Sequence, residues 1–269
     1  MPHARAVAST VLAAAVCLAL GGCAAAVRPA GTTSPDQSAS GDAGEPAGEL
    51  RIFAAASLAA AFDELALQFE QRHPSVDVLP IVYDGSATLA TQLIEGAPAD
   101  VFAAADERTM QQVVDAGLAS EPVLFAGNTL VIAVPKDNPG GVKTIEDLGW
   151  PGTTVVLCAP AVPCGAAAQR LLADNGVSVA PASLEQNVTA VLTKVATGEA
   201  DAGLVYATDA LASDDVRAVA AAGAERVVNR YPIAPMREAA NTAAAEAFVA
   251  YVRSDEAQAV LASLGFASP

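Results

Sequence analysis

The fold is decided by the stretch LRIFAAASLAAAFDELALQFE, residues 50–70. Residues 50–56 form a short apolar run, which is typical of a buried strand. After Ser57 the large apolar side chains recur at helical spacing until His73-Pro74 ends the pattern. The stretch therefore predicts a strand that runs directly into a helix, with Ser57 at the junction.

The same alternation of short apolar runs and helical patterns continues towards the C terminus. Further strands are predicted over residues 76–83, 101–104, 130–134, 154–158 and 202–206. Further helices are predicted from Ser86 to Gly96, over residues 107–116, 165–174 and 188–197, and as one long helix or a pair between Thr242 and Leu264. Strands that alternate with helices indicate an α/β protein with mostly parallel sheets flanked by helices.

The composition excludes several classes of function. The chain has 30 acidic and 14 basic residues, for a net charge of −16. Nucleic acid is therefore not an expected partner, because basic side chains must displace its counterions. The two histidines, His3 and His73, leave almost nothing for a histidine-ligated zinc site or a Ser-His-Asp triad.

The N terminus predicts export and anchoring. Residues 1–22 read as a signal peptide, because Arg5 precedes an apolar run at 11–20 that is about half the ~20 residues a membrane-spanning helix needs. Residues 20–23 (LGGC) resemble the lipobox of bacterial lipoproteins, which implies that the Cys23 thiol is diacylated after the leader is removed. A plain secretory leader with an incidental cysteine is the alternative. The rest of the segment 23–48 is small and polar, as in a flexible tether.

Two cysteines remain in the predicted globular part. Cys158 and Cys164 are six positions apart, and in an oxidising compartment they could close a small disulfide loop. Free thiols are the alternative. A metal site is not expected from two cysteines with no histidine nearby.

The predicted junctions between strands and helices form a candidate anion site. Helices are expected to open at Ser57, Ser86, Cys164 and Val188, where ligands bind in open α/β sheets. A helix N terminus offers unpaired N–H groups to an anion, although serine and asparagine are also ordinary helix caps. Neutral donors suit a fully deprotonated dianion, because a protonated anion also needs an acceptor.

Three segments, taken together and in this order, resemble the ModA family of molybdate-binding proteins. They are FAAASLAAAFDELALQFE (53–70), GSATLATQLIEGAPADVFAAAD (85–106) and GEADAGLVYATDA (198–210). The resemblance implies a two-lobed periplasmic-binding-protein fold of type II with the ligand in the cleft between the lobes. It also implies a monomeric, extracytoplasmic, membrane-anchored lipoprotein without cofactor or enzymatic activity. Such a protein captures molybdate, and tungstate with it, for an ABC permease and its ATPase.

The resemblance also implies a set of ligand-binding residues. Ser57 and Ser86 would each give a hydroxyl and a backbone N–H, Cys164 and Val188 a backbone N–H, and Tyr206 its phenol. No side chain would coordinate the metal atom directly. Cys164 departs from the family, where a small alanine is common, but only its backbone is needed. A Cys158–Cys164 disulfide would fix the turn that presents this N–H.

The resemblance also implies boundaries, and it leaves alternatives open. Lobe 1 is expected at residues 49–127 plus 231–269 and lobe 2 at 128–230, with hinges where the chain crosses between them. Sulfate or another tetrahedral oxyanion is the alternative ligand. An exported hydrolase using either serine, or a structural or sensory lipoprotein that binds nothing, would be an alternative class. Tyr206 has an alternative of its own as an ordinary core tyrosine.

Overall fold

The computed structural model describes residues 45–269, and two five-stranded sheets dominate this part. The predicted signal peptide 1–22, the predicted lipidation site Cys23 and the tether as far as residue 44 lie outside the described residues. Between residues 45 and 269, no helix has both the length and the apolar character to cross a membrane.

The strands, in chain order, are β1 (Gly48–Leu50), β2 (Ile52–Ala55), β3 (Val76–Val78), β4 (Val82–Asp84), β5 (Val101–Ala103), β6 (Val123–Asn128), β7 (Leu130–Pro135), β8 (Val155–Cys158), β9 (Ser183–Glu185), β10 (Ala202–Tyr206), β11 (Val216–Val219) and β12 (Asn229–Pro235). The helices are α1 (Ala59–Arg72), α2 (Ser86–Ile94), α3 (Glu107–Asp115), α4 (Pro163–Asp174), α5 (Val188–Ala196), α6 (Ala207–Leu211), α7 (Thr242–Val252) and α8 (Asp255–Ser263). Short 3₁₀ turns cover Ala56–Leu58, Glu146–Gly149 and Ala224–Arg226.

The chain builds one sheet, crosses to the second and then returns. The first sheet has the order β4-β2-β5-β12-β6, and the second has the order β11-β7-β10-β8-β9. Only Thr129 separates β6 in the first sheet from β7 in the second. Strand β12 brings the chain back, and its Asn229 pairs with Asn128 of β6. The outgoing and returning segments are therefore hydrogen-bonded neighbours.

The predicted α/β class is confirmed, but the sheets are mixed rather than mostly parallel. In the first sheet β2 is parallel to β4 and β5, whereas β12 is antiparallel to β5 and β6. In the second sheet β8 is parallel to β9 and β10, whereas β7 is antiparallel to β10 and β11. The antiparallel pairs arise because β7 and β12, the strands that follow the two crossings, run against their neighbours.

Several predicted elements differ at their ends. The run 50–56 is divided between β1 and β2, because β1 pairs with β3 in a separate two-stranded sheet. The run 76–83 becomes β3 and β4 on either side of Pro80, which has no N–H to donate. Helix α4 begins at Pro163, two positions before the predicted start, since proline is well suited to the first helical position. The predicted C-terminal helix is a pair, because the Ser254 hydroxyl accepts from the Ala257 N–H and opens α8.

A cluster of aromatic rings packs under the first sheet and reaches the region between the sheets. Phe62 lies 5.8 Å from both Phe125 and Phe248, measured between ring centroids. Tyr231 of β12 continues the cluster, at 6.3 Å from Phe125 and 5.9 Å from Tyr206. Tyr231 and Tyr206 are 0% and 1% exposed, so the packing fixes the positions of both rings.

Candidate functional site

One small cavity lies where the ends of several strands become helices. All five residues predicted to bind ligand, Ser57, Ser86, Cys164, Val188 and Tyr206, line this cavity. The remaining lining residues are Ala55, Ala56, Gly85, Ala105, Val162, Pro163 and Asn187. Strand ends from both sheets contribute to the wall, because the carboxyl ends of β2, β4, β5, β8, β9 and β10 meet at this point.

The cavity has room for only a very small ligand. About 20 Å³ is open to the centre of a water-sized atom. That volume exceeds the roughly 10–15 Å³ that one buried water needs. It is far below the ~300–1,000 Å³ of clefts that hold drug-sized molecules. A compact inorganic ion fits this size, whereas a sugar, nucleotide or peptide does not.

Backbone N–H groups from three helix N termini face this region. Helices α2, α4 and α5 begin at Ser86, Pro163 and Val188, and each is at least nine residues long. Neither α2 nor α4 has a side-chain cap. In α5 the Asn187 side chain accepts from the Ala190 N–H, which leaves the Val188 N–H free of this cap. First-turn N–H groups have no partner within their own helix, so these are available to an anion.

Three hydroxyl groups add to the backbone donors. The Ser86 hydroxyl oxygen accepts the Ala105 N–H at 2.9 Å, so its own hydrogen remains free. The Ser57 hydroxyl lies 2.9 Å from the Tyr231 hydroxyl. The Tyr206 hydroxyl is buried near the Tyr231 phenol, but no group within residues 45–269 lies in good hydrogen-bond geometry to it. Burying a hydroxyl without a hydrogen-bond partner costs free energy of folding. A ligand oxygen in the cavity would provide the acceptor that the Tyr206 phenol lacks.

The cavity wall carries no charged side chain. Burial raises the pKa of the Tyr206 phenol well above its usual value, so the phenol keeps its proton and remains a donor. Nearby, the Asp209 carboxylate accepts the Tyr206 backbone N–H at 3.0 Å, and burial raises the pKa of Asp209 to about 7. The site thus presents neutral donors, and its attraction for an anion comes from oriented dipoles.

Comparison with known proteins places the chain in a family. Residues 50–267 match the bacterial extracellular solute-binding proteins. The chain is 44% identical to the molybdate-binding protein ModA of Mycobacterium tuberculosis over 241 residues, which cover 89% of this chain and 92% of that protein. The chain belongs to the ModA family. The family resemblance of the three quoted segments is thereby confirmed.

Solved structures show that the ModA-family chain has the expected type II periplasmic-binding-protein fold. It is similar to the periplasmic molybdate-binding protein of Azotobacter vinelandii, with a TM-score of 0.71 and 23% identity over 82% of this chain and 99% of that one. It is also similar to the sulfate-binding protein SubI of M. tuberculosis, with a TM-score of 0.69 and 20% identity over 81% and 86% of the two chains. At these identities the likeness concerns the fold.

The structure adds contacts between the two sheets of the ModA-family chain that the sequence did not reveal. Asn187 donates a side-chain hydrogen bond to the Asp84 carboxylate at 2.8 Å. Arg108 of α3 donates to the Ala161 carbonyl at 2.7 Å, in the turn that leads into α4. Gly85 lies so close to the Gln186 carbonyl that a Cβ would stand 2.1 Å from its oxygen.

The structure joins Cys158 and Cys164 in a disulfide whose Cα atoms are 5.7 Å apart. The bond links the last residue of β8 to the second residue of α4, and it closes the turn formed by residues 159–163. Val162, Pro163 and Cys164 all line the cavity. The disulfide therefore holds the turn that presents the Cys164 N–H.

We expect reduction of this disulfide to weaken oxyanion affinity about three- to tenfold, because a looser turn must then be ordered on binding. Isothermal calorimetry, in which the ion is titrated into the protein with and without reductant, measures the change in affinity. The Cys158→Ser/Cys164→Ser variant is the control. Its affinity should equal that of the reduced protein and should not change when reductant is added. Unchanged affinity in protein with two titratable thiols would contradict the expectation.

Proposed function

We propose that the chain captures molybdate, and tungstate with it, outside the cytoplasmic membrane and delivers it to an ABC permease with its ATPase. The observation that carries this proposal is the small, uncharged cavity, whose unpartnered Tyr206 phenol lies among helix N termini and two serine hydroxyls. The 44% identical relative named molybdate-binding protein supports molybdate as the ion.

The donor pattern supports a fully deprotonated tetrahedral dianion. Such an ion only accepts hydrogen bonds, and the groups identified on the wall only need to donate. Hydrogen phosphate also has an O–H that needs an acceptor, and leaving it unpaired is costly. The net charge of −16 repels anions at long range, so the affinity has to come from donors at contact distance.

Sulfate is the second candidate ion. It is also a tetrahedral dianion without protons at neutral pH, and the fold is shared with a protein named sulfate-binding. The two ions differ in size, and molybdate is the larger. The size of the cavity therefore determines whether sulfate or molybdate can contact all the donors on the wall at the same time.

We assign no reaction to this protein. An exported hydrolase using Ser57 or Ser86 needs a general base near the hydroxyl. His73, the histidine within residues 45–269, follows the end of α1 and packs 4.7 Å from the Phe69 ring. It does not line the cavity. Neither serine therefore has a histidine to activate it.

The proposal includes the anchor and the lobes. Cys23 would carry the lipid, and the segment 23–48 would tether a monomeric binding domain near the membrane surface. Lobe 1 would comprise residues 49–127 and 231–269, and lobe 2 would comprise 128–230. The paired crossing segments of β6 and β12 would then act as the hinge, with closure favoured by an ion that both lobes contact.

Thermal unfolding of the purified protein with separate additions of molybdate, tungstate, sulfate and phosphate tests the function. A ligand that binds only the folded state at a hundredfold excess over Kd stabilises it by about 2.7 kcal/mol. We expect molybdate and tungstate to raise the unfolding temperature, and sulfate and phosphate to leave it unchanged. A higher unfolding temperature with sulfate alone would make sulfate the ligand. An unchanged unfolding temperature with all four ions would overturn the proposal.

Tyr206→Phe provides a prediction with opposite signs for binding and stability. The change removes a donor to the ion, so we expect molybdate affinity to fall about 10- to 100-fold. It also removes a buried hydroxyl without a partner, so we expect the ligand-free protein to gain about 1 kcal/mol of unfolding free energy. Denaturant titration and calorimetry measure the two quantities. A parallel loss of both would indicate that Tyr206 is an ordinary core residue.

A further inference from the structure

Tyr231 stands behind the cavity without forming part of its wall. It lies in β12, is 0% exposed, and is not among the residues that line the cavity. Three rings contact its ring at near-perpendicular or steeply tilted angles: Phe125, Tyr206 and Phe266, with centroids at 6.3, 5.9 and 5.7 Å. Its hydroxyl is therefore held at a fixed point by packing that does not depend on a ligand.

The Tyr231 hydroxyl forms a hydrogen bond of 2.9 Å with the Ser57 hydroxyl, and its direction matters. If Ser57 donated, its hydrogen would be used inside the protein and an oxygen lone pair would face the ion. If Tyr231 donates, its own buried hydrogen is satisfied and the Ser57 hydrogen is free for the ion. Burial raises the pKa of the Tyr231 phenol, so the proton needed for this donation is always present. An anion in the cavity therefore favours donation from Tyr231 to Ser57.

Ser86 offers an internal comparison. Its hydroxyl oxygen accepts from the Ala105 N–H, and a backbone N–H can only donate. The direction at Ser86 is thus fixed by the backbone itself. At Ser57 the partner is another hydroxyl, which can act either way, so the direction depends on Tyr231 having no better acceptor. The Asn128 amide and the Tyr206 phenol also lie near the Tyr231 hydroxyl, but the Ser57 hydroxyl is the partner that has hydrogen-bond geometry within residues 45–269.

We propose that Tyr231 is a positioning residue that fixes the Ser57 hydroxyl as a donor into the cavity. This inference rests on the proposed function as an oxyanion-binding protein. It assigns Tyr231 a part in selectivity. A Ser57 hydroxyl that accepts from Tyr231 and donates to the ion has one of its two lone pairs occupied, so it is a poorer acceptor for the O–H of a protonated anion such as hydrogen phosphate.

A double-mutant cycle between Ser57→Ala and Tyr231→Phe tests the proposal on the full mature chain, with molybdate as the probe. Tyr231→Phe alone should weaken molybdate binding about three- to tenfold, because the Ser57 hydroxyl is then free to rotate. In the Ser57→Ala background the same change should alter affinity less than about twofold. Tyr251→Phe removes a hydroxyl that bonds to Gln68 at 2.8 Å, and serves as the control with unchanged affinity.

Two further readouts separate positioning from a general structural role. Tyr231→Phe should narrow the ratio of molybdate to phosphate affinity, because a free Ser57 hydroxyl also accepts from hydrogen phosphate. In the Ser57→Ala background it should raise the unfolding temperature, since it removes a buried hydroxyl that has lost its partner. Equal losses of affinity in both backgrounds, or an unchanged ion ratio, would overturn the proposal. Failure of the unmutated protein to bind any of the four ions would instead overturn the proposed function.

Discussion

Replacement of Ser57 and Ser86 by alanine together is expected to weaken molybdate binding by about 10²- to 10⁴-fold. Each hydroxyl lines the cavity, and a hydrogen bond to a charged group contributes about 1.5–3 kcal/mol. In the absence of an ion, the unfolding free energy should also fall, by about 1–3 kcal/mol for each lost hydrogen bond, because the Ala105 N–H and the Tyr231 hydroxyl lose one partner each. Calorimetric titration with molybdate, beside denaturant unfolding without it, measures the two effects.

A matched control for this variant replaces Ser75 and Ser178 by alanine. Both serines are exposed and neither lines the cavity, so the affinity should stay within about twofold of the unmutated protein. If the Ser57→Ala/Ser86→Ala variant also kept its affinity, the hydroxyls would not contact the ion. A protein that binds no oxyanion in either form would fit the alternative of a structural or sensory lipoprotein.

Gly85→Ala is expected to lower molybdate affinity by about 10²-fold while leaving the ligand-free fold almost unchanged. Gly85 has φ −58°, which alanine adopts without strain. The added Cβ would stand 2.1 Å from the Gln186 carbonyl oxygen, and Gln186 follows β9 of the second sheet. The two sides of the cleft must then move apart, so the donors on one side lose contact with an ion held by the other.

Gly165→Ala is the contrasting variant for this experiment. A Cβ at Gly165 would lie 1.9 Å from the Ala159 carbonyl oxygen, and Gly165 directly follows the disulfide-closed segment 158–164. That clash acts inside the proposed lobe 2, so we expect a lower unfolding temperature with or without ion. Gly85→Ala should leave the ligand-free unfolding temperature within a few degrees of the original. A large destabilisation by Gly85→Ala without ion would show that the close approach belongs to the fold rather than to closure.

The residues predicted for the cavity share a local signature in the sequence. Ser57, Ser86 and Val188 stand where an apolar run gives way to a helical pattern, and Tyr206 ends a run of buried residues. These boundaries depend on neighbours within a few positions, so the pattern reveals them without knowledge of the tertiary structure. The resemblance to the ModA family then indicated which of the boundaries meet.

The contacts that the sequence did not predict all join distant parts of the chain. Tyr231 and Ser57 are 174 positions apart, and Asn187 and Asp84 are 103 positions apart. No local periodicity encodes such pairs. Strand β12 was also missed, because Pro232 interrupts its pattern, and the pairing with β6 shifts register between Tyr231 and Pro232. A proline inside a strand is tolerated at such an irregularity, but it removes the alternation on which prediction depends.

The two hydrogen bonds that cross the cleft would add to the time that an ion stays bound. If the cleft opens at the proposed hinge, the Asn187–Asp84 and Arg108–Ala161 hydrogen bonds must break before a bound ion leaves. Its residence time would then depend on these two bonds as well as on the donor contacts, because an ion that both sides contact also favours the closed cleft. A transporter that separates the proposed lobes would speed release of the ion without having to bind the ion itself.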